Sequence, residues 1–251
     1  MLINPTIEKL KEMNLKTMAS ALQELDASFY DLEFGEQIGI LVEKEWLTKK
    51  NARLNRLLRD AALSQNACIE DINYTYKKAK EKAVIQKLAV GTYINEHLNV
   101  IISGMTGSGK TYLACALGNA ACRKDCKVKY YRMPEMLIEI SHAKLGNTYS
   151  RFMKRIKRYE LLIIDDVGLQ TFTLEESRDF LEIVEARYNK GSLILSSQLP
   201  HEKWYDLFPD PTIADAIMDR VSYNSYILNL ESEISMRQIV AEKKMKALSL
   251  E

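Results

Sequence analysis

A glycine-rich octapeptide constrains the fold of this chain more than any other feature. Residues 104–111 read Gly-Met-Thr-Gly-Ser-Gly-Lys-Thr and match the pattern G-x-x-x-x-G-K-[ST]. Glycines let backbone N–H groups turn toward a phosphate chain, while the lysine charge and the N-terminus of the following helix attract it. The residues predicted to line this phosphate site are Gly104, Met105, Thr106, Gly107, Ser108, Gly109, Lys110 and Thr111.

The sequence on both sides of the loop supplies the context that it needs. Asn99 to Ser103 is mostly apolar and predicts a short buried strand, and Thr111 to Ala121 predicts a helix with a face of small residues. Strand, loop and helix follow in the required order, which a chance glycine turn would not show. We therefore expect a nucleoside triphosphate here, with Lys110 facing its β- and γ-phosphates and the Thr111 hydroxyl bound to Mg²⁺.

Short apolar runs recur later in the chain, separated by amphipathic stretches. They are residues 127–131, 161–165, 193–197 and 226–230. Strands that alternate with helices form a mostly parallel sheet with helices on both faces. The predicted fold class is therefore α/β, the parallel sheet of a P-loop nucleotide hydrolase, with its site at the carboxyl ends of the strands.

The beginning of the chain has a different pattern. Apolar residues recur at helical spacing from Leu15 to Phe29, and again between Gly35 and Leu63, where one long helix is predicted. Such stripes need apolar partners. We therefore predict a small all-helical N-terminal domain at residues 1–68, which contacts a partner or DNA. A linker at 69–83 would lead to the P-loop domain at 84–251.

Composition excludes several classes of protein. The 251 residues carry 35 Lys and Arg against 34 Asp and Glu, so the net charge of +1 does not by itself indicate a nucleic-acid binder. The four cysteines lack the spacing of a zinc site, and no apolar run is long enough to span a membrane. We expect a soluble cytoplasmic protein with no membrane contact.

Two adjacent acids end one of the predicted strands. Leu161 to Ile164 are apolar, and Asp165 and Asp166 follow directly. A buried strand places its terminal acids at the carboxyl edge of the sheet, beside the phosphate loop. We predict that Asp165 holds the Mg²⁺ shell and that Asp166 orients or deprotonates the attacking water. The alternative is a pair of solvated loop acids.

Three further polar residues are candidates for catalysis. Gln198 follows the predicted strand at 193–197, where its amide would sense the γ-phosphate and position water; the alternative is a polar turn before Pro200. Arg220 and Arg237 flank the last predicted strand. Phosphoryl transfer concentrates charge that one lysine does not neutralise alone, which makes both arginines candidates. From spacing alone, either is equally an ordinary surface arginine.

Two basic clusters are candidates for nucleic-acid binding. Their members are Lys49, Arg53 and Arg56 on one face of the long predicted helix, and Arg151, Lys154 and Arg155 before the strand that ends in the two acids. Such clusters neutralise phosphates and make binding depend steeply on salt. A solvated helix face is the alternative explanation for each cluster.

Taken together, these motifs resemble the IstB-like transposition helper ATPases of insertion sequences, which are relatives of the DnaC and DnaI helicase loaders within the AAA+ superfamily. The likeness runs over nearly the whole chain, from Leu15-Lys-Thr-Met-Ala19 to Ile213-Ala-Asp-Ala-Ile-Met-Asp-Arg220 and beyond. The phrase Leu193-Ile-Leu-Ser-Ser-Gln-Leu-Pro200, followed by Lys203-Trp204, looks more like the helpers than the loaders.

This resemblance implies a role for each candidate residue. Residues 104–111 become the Walker A motif, and Asp165 and Asp166 become the Walker B pair. Gln198 becomes sensor 1, Arg220 an arginine finger that acts on a neighbouring subunit's nucleotide, and Arg237 sensor 2.

The function that the resemblance implies is that of a Mg²⁺-dependent ATPase, which converts ATP to ADP and phosphate. Such a protein forms a ring or helical homo-oligomer on duplex DNA, recruits or stimulates a cognate transposase, and is reset by hydrolysis. Asp166 departs from the glutamate common in the superfamily, and hydrolysis without a neighbouring subunit should be weak. The alternatives are a helicase loader and an ATP-gated DNA scaffold with little turnover. A small-molecule kinase would leave the helical N-terminal part unexplained.

Overall fold

The computed structural model describes residues 3–24, 27–74 and 79–230, together with Ser235, Met236, Gln238 and Met245. Contacts between residues divide the chain into two compact units, Met1–Arg56 and Leu57–Glu251. Within the described ranges, no helix combines the length and the apolar character needed to cross a lipid bilayer.

Helices alone build the described part of the first unit. They are α1 (Ile3–Glu12), α2 (Lys16–Gln23), α3 (Ala27–Tyr30) and most of α4 (Phe34–Ala61). The long helix predicted between Gly35 and Leu63 is thus confirmed as α4, whereas the apolar stripe from Leu15 to Phe29 is divided between α2 and α3. The Met18 N–H donates to the buried Glu45 carboxylate at 2.8 Å, which ties α2 to α4.

The segment after α4 belongs to the second unit. Asn119 Nδ2 donates to the Ala67 carbonyl at 2.9 Å, and Arg123 Nη1 lies 2.9 Å from a Glu70 carboxylate oxygen. These contacts attach the segment to the helix that follows the phosphate loop. The division between the units therefore falls after Arg56, earlier than the boundary at residue 68 expected from the sequence. Helical periodicity does not reveal which unit a helix end packs against.

A parallel sheet forms the centre of the second unit. The strands found among the described residues are β1 (Asn99–Gly104), β2 (Val128–Arg132), β3 (Leu161–Val167), β4 (Ser192–Ser197) and β5 (Ser225–Leu230). Their order is β2-β3-β4-β1-β5, and every paired neighbour runs parallel. This arrangement confirms the predicted α/β fold with a parallel sheet. It also puts the carboxyl end of β4 between the phosphate loop and the two acids.

Helices in the segments that connect the strands flank this sheet. They are α5 (Ala79–Val90), α6 (Thr92–Asn95), α7 (Lys110–Arg123), α8 (Met133–Leu145), α9 (Tyr149–Ile156), α10 (Leu174–Arg187), a 3₁₀ helix (His201–Leu207) and α11 (Pro211–Ser222). Local sequence sets their starts: Thr173 and Glu176 form a capping box at α10, and Asp210 caps α11 ahead of Pro211.

Candidate nucleotide-binding site

The phosphate loop turns sharply between β1 and α7. Gly104 has φ +152° and Gly107 has φ +84°, a region that residues with a Cβ rarely adopt. A Cβ on Gly104 would lie 2.5 Å from the Leu230 carbonyl oxygen, and one on Gly107 would overlap the Ser235 hydroxyl. The loop therefore requires glycine at both positions, for backbone conformation and for space.

Lys110 begins α7 and is buried in the loop. Its Nζ donates to the Gly104 carbonyl at 2.8 Å and to the Met105 carbonyl at 3.0 Å. Beside it, Ser108 is 2% exposed, and its hydroxyl has no hydrogen-bond partner among the described residues. A buried cation and an unpaired buried hydroxyl in a glycine loop fit a phosphate chain, which would satisfy both groups.

Asp165 lies at the end of β3, is 2% exposed and is held on both carboxylate oxygens. Its Oδ2 accepts from the Thr111 hydroxyl at 2.7 Å and from the Tyr130 hydroxyl at 2.9 Å. Its Oδ1 accepts from the Asp166 N–H at 3.0 Å and from the Ser196 hydroxyl. Thr111 and Asp165, predicted as the metal-binding pair, thus lie together and offer the oxygen ligands that Mg²⁺ prefers.

Asp166 is held by an arginine that sequence reasoning missed. Arg132 donates to Asp166 Oδ2 from Nη2 at 2.8 Å and from Nε at 3.1 Å, and this hydrogen bonding raises the arginine's pKa. Asp166 has a left-handed backbone with φ +61°. Arg132 ends β2 and pairs in register with Asp165, so its proximity to the acids follows from strand order. No local motif marks it.

Gln198 reaches the phosphate loop from the end of β4. Its side-chain oxygen accepts from the Thr106 hydroxyl at 2.8 Å, so the predicted γ-phosphate sensor lies against the predicted cradle. On the other side, the Met236 N–H donates to the Gly107 carbonyl at 2.9 Å. The next residue, Arg237, lies outside the described residues.

Arg220 lies at the amino ends of the strands, opposite the phosphate loop. Its Nη2 is 3.0 Å from a Glu185 carboxylate oxygen, and its Nη1 donates to the Ala216 carbonyl at 2.8 Å. Its own carbonyl accepts from the Asn99 side chain, and Asn99 begins the strand that ends at Gly104. Because a strand rises about 3.3 Å per residue, the two ends of β1, Asn99 beside Arg220 and Gly104 in the phosphate loop, are about 17 Å apart. The structure does not bring Arg220 to the phosphate loop of its own chain.

The family model for the IstB-like ATP binding protein matches residues 8–245. The chain belongs to this IstB-like family. A curated relative, the insertion sequence ATP-binding protein y4pL of Sinorhizobium fredii, is 38% identical over 235 residues, covering 93% of this chain and 96% of y4pL.

Solved structures show the same fold at lower identity. The DnaC helicase loader superposes with a TM-score of 0.55 and 17% identity, covering 66% of this chain and 97% of that one. The replication initiator DnaA bound to AMPPCP and single-stranded DNA gives a TM-score of 0.60 and 21% identity, covering 76% of this chain but 57% of the DnaA chain. The chain thus has the P-loop fold of these structures and belongs to a family that is named for ATP binding.

The predicted DNA-binding residues of the IstB-like chain do not form one surface within a single unit. Lys49, Arg53 and Arg56 lie on α4 in the first unit, and Arg151, Lys154 and Arg155 lie on α9 in the second. Some are already engaged, because Lys49 is 3.2 Å from Glu45 and Arg155 pairs with Glu139. All six side chains are exposed to solvent.

Proposed function

We propose that this IstB-like chain is an ATP-dependent DNA-binding helper of transposition. It oligomerises as a ring or helix on duplex DNA, recruits or stimulates the cognate transposase, and is reset by hydrolysing ATP. The observation that carries this proposal is the position of Arg220, one strand length away from its own phosphate loop. A catalytic arginine at that edge reaches a nucleotide across a subunit interface, so assembly completes the site.

The binding step uses the contacts that hold the loop in the free chain. We assign Lys110 to the β- and γ-phosphates, which would replace the Gly104 and Met105 carbonyls as its partners. Thr111 and Asp165 would hold Mg²⁺, which when bound neutralises charge developing on the transferred phosphoryl group. Gln198, already joined to Thr106, would sense the γ-phosphate.

Hydrolysis requires Asp166 to leave Arg132. We assign Asp166 to orienting or deprotonating the attacking water, and Arg237 to sensor 2. Arg132 Nη2 lies 2.8 Å from the Asp166 carboxylate, and this ion pair supports slow turnover before assembly. The same ion pair favours a second candidate function, an ATP-gated DNA scaffold that hydrolyses little ATP.

DNA contact is assigned to the two basic clusters, one on α4 in the helical first unit and one on α9 in the second unit. The family is named for ATP binding, and y4pL is named for an insertion sequence. We place the assembly in the cytoplasm, where both DNA and ATP are present. The helicase-loader alternative has less support, because the DnaC structure is 17% identical and shows the fold alone.

Electron microscopy with and without duplex DNA tests the assembly. With ATP and DNA we expect rings or filaments of the wild-type chain and dispersed particles of Lys110→Ala. Wild-type particles that stay dispersed under every condition would contradict the proposal.

Two further assays separate the alternatives. A pull-down should retain the cognate transposase; retention of the replicative helicase instead would identify a loader. If the chain hydrolyses ATP, phosphate release in the presence of DNA should fall in Asp166→Asn. If the wild-type chain shows no phosphate release that this substitution lowers, the chain is the scaffold.

A further inference from the structure

We propose that Tyr130 is a positioning residue for the metal-site carboxylate: its phenol holds Asp165 in the orientation that receives Mg²⁺. This inference rests on the proposed function, in which Asp165 and Thr111 hold the ion. It goes further by assigning a role to a residue that no phosphate-binding motif contains.

The geometry gives the phenol a direct hold on the carboxylate. Tyr130 lies on β2, is 7% exposed, and donates to Asp165 Oδ2 at 2.9 Å. The Thr111 hydroxyl donates to the same oxygen at 2.7 Å. A carboxylate with a second donor on Oδ2 keeps its orientation when the Thr111 hydroxyl turns to a metal ion. Hydrogen bonds of this kind to a ligating carboxylate tune metal affinity.

The phenol is enclosed within the second unit. Ser64, three residues after α4, lies near the Tyr130 hydroxyl and 3.4 Å from Cys115 Sγ on α7. Because Tyr130 is 7% exposed, its hydrogen bond to Asp165 is shielded from water, which strengthens it.

Tyr131 provides a matched control. It is the next residue on β2, is equally buried at 7% exposed, and its hydroxyl lies 3.5 Å from Arg155 Nη2. Neighbouring residues of a strand point to opposite faces. Tyr131→Phe therefore removes the same atom from the same strand without touching the Asp165 carboxylate.

The test measures how strongly Mg²⁺ promotes nucleotide binding by the full chain. Binding of a fluorescent ATP analogue is titrated at a series of Mg²⁺ concentrations and again in EDTA. For Tyr130→Phe we expect the half-saturating Mg²⁺ concentration to rise about tenfold, while affinity in EDTA is unchanged. Tyr131→Phe should match wild type. A Tyr130→Phe curve that coincides with wild type would overturn the positioning role.

Asp165→Asn separates this inference from the proposed function. If it abolishes the Mg²⁺ dependence while Tyr130→Phe changes nothing, the metal assignment stands and the role of Tyr130 is wrong. If Asp165→Asn also leaves the dependence unchanged, the assignment of the metal site fails.

Discussion

The strands of the central sheet have one buried cation at their carboxyl ends and another at their amino ends. Both cations donate to backbone carbonyls, but their roles differ. At the carboxyl edge, Lys110 donates to the Gly104 and Met105 carbonyls within a glycine loop. At the amino edge, the Arg187 guanidinium is 2% exposed, and burial lowers its pKa to about 10. Its hydrogen-bond acceptors are the carbonyls of Ile156, Tyr159, Glu160 and Ser192.

The difference lies in what else the carbonyls hold together. The acceptors of Arg187 lie at the end of α9, in the turn before β3 and at the start of β4, so the guanidinium joins three elements. The acceptors of Lys110 belong to one loop, beside the Ser108 hydroxyl, which has no hydrogen-bond partner in the part of the chain that the structure describes. Lys110 can therefore exchange its carbonyl partners for a ligand. Arg187 holds three elements together, and we call it the structural lock.

Substitution of Arg220, which also lies at the amino ends of the strands, tests whether this end of the sheet has a catalytic role. Arg220→Ala should keep ATP binding but lose roughly 10³-fold of the turnover of the assembled protein, because an arginine finger stabilises transition-state charge. Phosphate release on DNA is the measurement. Arg178→Ala, an exposed arginine on α10, should behave as wild type.

Mixing two inactive variants sharpens this test. Asp166→Asn keeps ATP binding and Arg220 but lacks the acid assigned to the attacking water, whereas Arg220→Ala keeps that acid. If the finger acts between subunits, the mixture should recover part of the turnover. A mixture as inactive as its components, or normal hydrolysis by Arg220→Ala alone, would contradict the trans role.

Arg187→Met tests the structural lock. Removing the guanidinium leaves buried carbonyls unpaired, so the free energy of unfolding should fall by about 3 kcal/mol. Denaturant titration measures the loss, and Arg178→Met on the same helix is the control. An unchanged unfolding midpoint would remove the distinction between the two edges.

Lys110→Ala tests the ligand site. Losing the cation that faces the phosphates should weaken ATP binding about 100-fold, the effect of truncating one partner of a buried charge pair. Stability should change little. Lys124→Ala is the matched control, since Lys124 lies just beyond α7 and donates to the Ala89 and Val90 carbonyls. Unchanged ATP affinity in Lys110→Ala would refute the site.

The smallest expected effect lies away from both edges. Charge reversal at Arg53 and Arg56 should weaken duplex binding and reduce the slope of log affinity against log salt by about two, one for each lost phosphate contact. Reversal of Lys9 and Lys11 on α1 of the same unit is the control. A slope equal to that of wild type would show that this cluster on α4 is a solvated helix face and not a DNA contact.

Much of the site could be predicted because its signals are local. The glycine loop, the helix after it and the acids at the end of β3 are each legible in a few consecutive residues, since backbone conformation and strand burial are set over such distances. Gln198 is a candidate from its position after the predicted strand at 193–197, whereas assigning Arg220 a role needs the family resemblance. The Gln198–Thr106 contact depends on two strand ends meeting, which no short pattern encodes.

The sequence by itself determined the phosphate cradle and an alternation of strands and helices that forms a parallel sheet. Tertiary structure alone decided that Tyr130 and Arg132 meet the two acids, that Arg187 joins α9, β3 and β4 at the amino ends of the strands, and that the segment after Arg56 belongs to the second unit. The physical reason is sheet order. β2 lies beside β3 and not beside β1, so residues far apart in sequence acquire their partners when the strands align.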